Sequence, residues 1–128
     1  MRRLGLLLLG LVFTAAAAAQ PLAPATRSEI DGLLSRLETS GCEFNRNGIW
    51  YTGGEAKAHL MGKLKYLEDK GMVQTAEQFI ERAASSSSMS GQAYLVRCVG
   101  APSVPSSKWL FAQLQAMRTG AGRAKSAP

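Results

Sequence analysis

Apolar positions recur at helical spacing in four stretches of the chain. Ile30, Leu33, Leu34 and Leu37 share one helix face, and Thr26 and Glu29 have capping-box spacing at its start. Gly41 ends that helix. Ala56, Leu60, Leu64 and Leu67 mark a second stripe, opened by Thr52 and Glu55 at the same capping-box spacing and closed near Lys70 and Gly71. Thr75 caps a third helix that carries Phe79, Ile80, Ala83 and Ala84. Ser107 caps a last one with Trp109, Leu110, Leu114 and Met117.

Between the first two helices, residues 42–52 read as a hairpin. Asn47-Gly48 is a two-residue turn signal, because a type I′ turn needs positive φ at both positions. That turn pairs Arg46 with Ile49 and Phe44 with Tyr51. Strand alternation then puts Cys42, Phe44, Ile49 and Tyr51 on one face, and Asn45 and Trp50 on the other. Residues 94–99 read as a further strand whose Tyr94, Val96 and Cys98 share a face. Ser85 to Gly91 is a polar loop, and Pro102 and Pro105 mark a connection. The whole predicts an α+β domain: about four helices around a small antiparallel sheet of about three strands.

The N-terminus changes the reading of the cysteines. Met1-Arg2-Arg3, an apolar run from Leu4 to Phe13 and the small residues Ala15 to Ala19 have the order of a secretory signal peptide, with cleavage after Ala19. Such a run is too short to remain as a membrane span in the mature chain. Removing the first 19 of 128 residues leaves 109, enough for one domain. We expect a flexible leader at residues 20–25, the globular domain at 26–118 and a disordered Gly/Ala/Lys-rich tail at 119–128. In an exported domain, two cysteines predict one disulfide, Cys42 to Cys98, on core-facing strand positions. Losing Arg2 and Arg3 takes two charges from the formal +6 and leaves +4. Arg118, Arg123 and Lys125 sit in or near the tail, so the body lacks the dense basic patch of a nucleic-acid binder.

The strings SGCEFNRNGIWY, EAKAHLMGKLKYL and TAEQFIERAASSSSMSGQAYLVRC, with a closing Ser-Lys-Trp-Leu, resemble one group of short exported bacterial proteins, domain of unknown function 5329. The likeness covers about residues 26–115. It implies an exported, periplasmic single domain with both cysteines at family positions. It implies no reaction, because the family carries no assigned activity.

Three constellations carry chemistry. Glu55, His59 and Lys63 step by four residues and Tyr66 follows His59 by seven, which at about 100° per residue puts all four on one stripe beside the leucines. A single His can serve as a general base that Glu55 orients, or belong to a solvated edge of i,i+4 pairs. One His and one carboxylate fall short of a metal-ligand set, and both cysteines are committed to each other. The turn residues Asn45, Arg46, Asn47, Gly48, Trp50 and Tyr51 offer an outward tryptophan beside amides and an arginine, suited to a sugar, carboxylate or peptide. Ser87-Ser88-Met89-Ser90-Gly91 lacks the glycine that precedes a nucleophile-elbow serine, and reads as a solvated loop.

A complete catalytic set is missing from this list, whereas aromatic and polar-turn chemistry is present. The expectation is a non-catalytic envelope binding module for a protein or cell-wall-related ligand. Arg46, Trp50, Asn45, His59 and Tyr66 are its ligand-binding residues, and no cofactor, metal or nucleic acid is involved. The alternative is a small hydrolase-like enzyme using His59 with Glu55, Tyr66 or a loop serine. A folding or assembly accessory with no ligand site is the third reading.

Overall fold

The computed structural model describes residues 5, 9–12 and 21–126. Most of the expected signal peptide and its cleavage site after Ala19 lie outside the described residues, as do residues 127–128 of the tail. In chain order the elements are α1 (Pro24–Thr39), β1 (Glu43–Arg46), β2 (Ile49–Tyr51), α2 (Gly53–Asp69), α3 (Ala76–Ala83), β3 (Leu95–Arg97), β4 (Val104–Pro105) and α4 (Ser106–Ser126). The architecture is α+β, with an antiparallel sheet ordered β2-β1-β3-β4.

The helix punctuation follows the side chains that supply it. Thr52 Oγ1 accepts from the Glu55 amide at 3.2 Å, and Thr75 Oγ1 accepts from the Gln78 amide at 3.0 Å. Gly41 and Gly71 close α1 and α2 in the left-handed region, at φ +72° and +66°. The start of α1 differs from expectation. The helix begins at Pro24, with no side-chain cap, rather than at a Thr26–Glu29 box. Proline loses no helical hydrogen bond at the first position and has its φ already set. Glu29 is drawn instead to Arg118 on α4, 2.7 Å away. The start of α4 also differs, because the helix begins at Ser106 rather than behind a Ser107 cap. Ser106 is buried and its hydroxyl donates to the Ala84 carbonyl. At the other end α4 continues past residue 119 as helix to Ser126.

The hairpin has the predicted register: Phe44 opposite Tyr51, Asn45 opposite Trp50, and Arg46 opposite Ile49. Asn47 and Gly48 take φ +54° and +85°, the two positive angles of a type I′ turn. On its other side β1 pairs with β3, Phe44 facing Val96 and Glu43 facing Arg97. One step further along the ladder, Cys42 and Cys98 are joined in a disulfide with their Cα atoms 4.3 Å apart. The sheet has one strand more than expected, since Val104 and Pro105 add β4 along β3. A proline is tolerated there because β4 is an edge.

Cys42, Phe44, Tyr94 and Val96 turn inward and are buried with the leucine stripes of α1, α2 and α4 and with Phe79 and Ile80 of α3. Trp109 meets Phe44 edge to face, with centroids 5.6 Å apart. Ile49 lies on the same sheet face but is 58% exposed, because it flanks the turn on the edge strand. Among the described residues no helix is long and apolar enough to cross a membrane.

Candidate functional site

Strand alternation sends Arg46 to the inner face of the sheet, towards α2. There its guanidinium lies 4.8 Å from the Tyr51 ring centroid and its Nη1 comes within 2.7 Å of His59 Nδ1. Arginine only donates, so Nδ1 must carry the lone pair and the imidazole proton belongs on Nε2. Nε2 faces the Tyr94 hydroxyl at 3.1 Å and therefore donates to it. Lys63, one turn further along α2, donates to that same hydroxyl at 3.2 Å and to the Ser86 carbonyl at 2.9 Å. Tyr94 Oη thus accepts twice and keeps its own hydrogen. Two basic side chains meet at one phenol and a third, Arg46, joins them through His59; among the described residues neither Arg46 nor Lys63 forms an ion pair.

The electrostatics follow from that crowding. Burial, then the charge of Arg46, then that of Lys63 lower the His59 pKa from 6.5. Burial and Arg46 likewise lower that of Lys63. Burial raises that of Tyr94, opposed by Arg46. His59 is therefore held neutral, as its bond from Arg46 requires. The unfolded chain takes up a proton at a pH where the folded chain does not. This contribution to stability is complete above about pH 6.5 and is lost as pH falls from there through the lowered value. We expect the melting temperature to fall as pH drops below about 6.5, and His59→Gln to flatten that fall. An identical profile for the two proteins would contradict the neutral-imidazole assignment.

His59 stands between two depressions. On one side is a cavity of about 40 Å³, lined by Leu37, Phe44, Ala56, Leu60, Ala84 and Leu110, with Asn45, Arg46, Tyr51, Glu55, His59, Tyr94 and Ser106 as its polar lining. On the other is an open groove of about 440 Å³ formed by His59, Gly62, Lys63, Tyr66, Leu67 and Ser88. The stripe read from the sequence is thus contiguous, but its members differ in role. Glu55 accepts a bond from the Thr52 hydroxyl at 3.1 Å and caps α2. Tyr66 is 62% exposed at the outer end, where Lys70 lies 5.2 Å from its ring centroid.

The turn constellation is divided by the sheet. Trp50 lies opposite Asn45 on the outer face, half-buried under the Arg97 guanidinium, which is 3.9 Å from its ring centroid and is paired to Glu43 at 3.2 Å. Asn45 Oδ1 accepts from the Gly48 amide at 3.0 Å. Asn47 ties the turn to the serine loop, donating to Ser87 Oγ at 3.3 Å and accepting from Ser90 Oγ at 2.6 Å. Ser87 Oγ also faces the amides of Met89 and Ser90 at 3.3 Å, which makes it a loop brace. The residue that sequence reasoning placed only in the core is Tyr94. Its signal was a tyrosine at an inward strand position, where a phenol needs a polar partner.

The family of unknown function DUF5329 matches residues 24–118. The chain belongs to this family. The matched span runs from the start of α1 well into α4 and includes every residue of the cluster. The uncharacterized protein YfeK of Salmonella typhimurium is 38% identical over 68 residues. That match covers 52% of this chain and 55% of YfeK, so the chain spans about half of that relative. No solved structure matches the chain.

Proposed function

We propose that this member of the DUF5329 family is a non-catalytic, exported binding module of the bacterial envelope. Its ligand face, in this reading, is the mouth formed by β1, α2 and the serine loop, centred on Arg46 and His59. The observation that carries the proposal is a linked cluster in which Arg46 bonds His59 and His59 and Lys63 both bond Tyr94, with neither cation paired to a carboxylate among the described residues. Partly buried positive charge without a partner favours an incoming anion. The hydrolase alternative has less support. A general base needs a free ring nitrogen, and both nitrogens of His59 are engaged. Glu55 is occupied at the helix cap, and Ser87 braces its loop. Export is supported by the signal-like N-terminus and by the disulfide, a bond that persists in oxidising compartments. Trp50 lies on the opposite face from Arg46, so this proposal centres the ligand face on Arg46 and the α2 stripe, with Asn45 in the cavity lining and Tyr66 at the edge of the groove.

The test is capture from a solubilised envelope fraction by the tagged protein, run beside Arg46→Gln and Trp50→Ala, with melting curves for all three. Capture that Arg46→Gln loses and Trp50→Ala retains supports the reading. If Trp50→Ala alone loses capture while staying folded, the ligand face is the outer one. A turnover that disappears in His59→Ala would restore the enzyme alternative.

A further inference from the structure

Resting on the binding face above, we infer that the site takes a carboxylate carrying a short aliphatic tail, the carboxylate on Arg46 and Tyr94 and the tail in the apolar cavity beside them. The two halves of this site are adjacent because Arg46, His59 and Tyr94 line the same cavity as Leu37, Leu60 and Leu110.

The free donors of the cluster set the head group. Arg46 uses Nη1 on His59 and retains the rest of its planar fork, which matches a carboxylate. The Tyr94 hydroxyl has two donors on its oxygen and still holds a hydrogen to give. Neutral His59 gives no second charge. Lys63, the other cation of the cluster, lines the groove rather than the cavity and already spends two of its three donors. Glu55 is the one acidic lining residue, and its charge disfavours a dianion. A single guanidinium facing a single carboxylate therefore suits a monoanion better than a phosphate.

The volume of the cavity sets the tail. A water molecule needs roughly 10–15 Å³, so about 40 Å³ holds about three small heavy groups. That admits a propyl or isopropyl group in the apolar end and leaves any larger part of a ligand at the open mouth. Two sources share this chemistry: a free short-chain acid, and the C-terminus of a peptide ending in a small aliphatic residue.

The chain has a single histidine, so its imidazole signals report this site alone. Titration of the 15N-labelled protein with butyrate is expected to shift the His59 ring resonances to saturation, whereas butyramide at equal concentration leaves them in place. Acetate is expected to bind about tenfold more weakly, the worth of two buried methylenes, and octanoate weaker than butyrate. Arg46→Gln should abolish the butyrate response, and Arg46→Lys should restore only part of it. Ala56→Leu fills the cavity and should remove the advantage of butyrate over acetate while both still bind. A valine-terminated tripeptide that binds tighter than butyrate, and not when amidated, assigns a chain terminus. Butyrate tighter than the tripeptide assigns a free acid. Equal responses to butyrate, sulfate and phosphate overturn the inference, and so does silence of His59 towards every acid. Envelope capture that still depends on Arg46 under either result leaves the binding module standing with a different ligand.

Discussion

Breaking the link between Cys42 and Cys98, by reduction or by the double substitution to alanine, is expected to lower stability by about 4 kcal/mol. The bond closes a loop with a sequence separation of 56 residues, so the unfolded chain regains a large conformational freedom when it opens. In a domain of this size the loss corresponds to a fall in melting temperature of roughly 15 °C or more. The folded sheet supplies little compensation. Cys42 is buried and the ladder continues beside the bond through only three β1–β3 pairs. Calorimetry of oxidised and reduced protein measures the effect, and coincident melting curves would refute it. Labelling of two thiols in unreduced, folded protein would refute the bond itself.

Gly53→Ala is expected to cost on the order of 2 kcal/mol, while the neighbouring Gly54→Ala is neutral or slightly stabilising. Gly53 opens α2 where that helix crosses the end of α1. A Cβ there would stand 2.3 Å from the Leu37 carbonyl oxygen and 3.1 Å from Glu38 Cα. Both are backbone atoms, so the only relief is to part the two helices, which carry Leu34, Leu37, Leu60 and Leu64 of the core. At Gly54 the nearest atom is the Thr52 hydroxyl oxygen at 4.0 Å, and alanine is the better helix former. Denaturant unfolding of the two variants side by side makes the comparison. Equal stabilities would show that the helices are not in close contact at Gly53.

These two sites differ in how far the sequence exposes them. The disulfide is legible because a chain with two cysteines has one pairing available, and alternation places both on the buried face. Nothing in Thr52-Gly53-Gly54-Glu55 separates the two glycines, since the approach of α1 is a property of packing. The candidate site divides the same way. Arg46 and His59 are visible as chemistry-bearing residues, but the two readings put Arg46 with Trp50 and His59 with Glu55. The fold instead pairs Arg46 with His59 and gives Glu55 to the helix cap and Trp50 to Arg97.

The local patterns by themselves determined the type and order of every element except the edge strand β4. Helical stripes, Thr caps, left-handed glycines and an Asn-Gly turn act within a few residues of one another, so their preferences are written in short stretches of chain. Register followed from the turn, because a two-residue loop leaves one way to pair the strands. Tertiary structure alone decided which residues 13 to 35 positions apart share a hydrogen bond, as in Arg46 with His59 and His59 with Tyr94. It also set where a 40 Å³ cavity remains beside them. Such contacts depend on how helices and sheet settle against a common core, where volume and backbone approach outweigh any local preference.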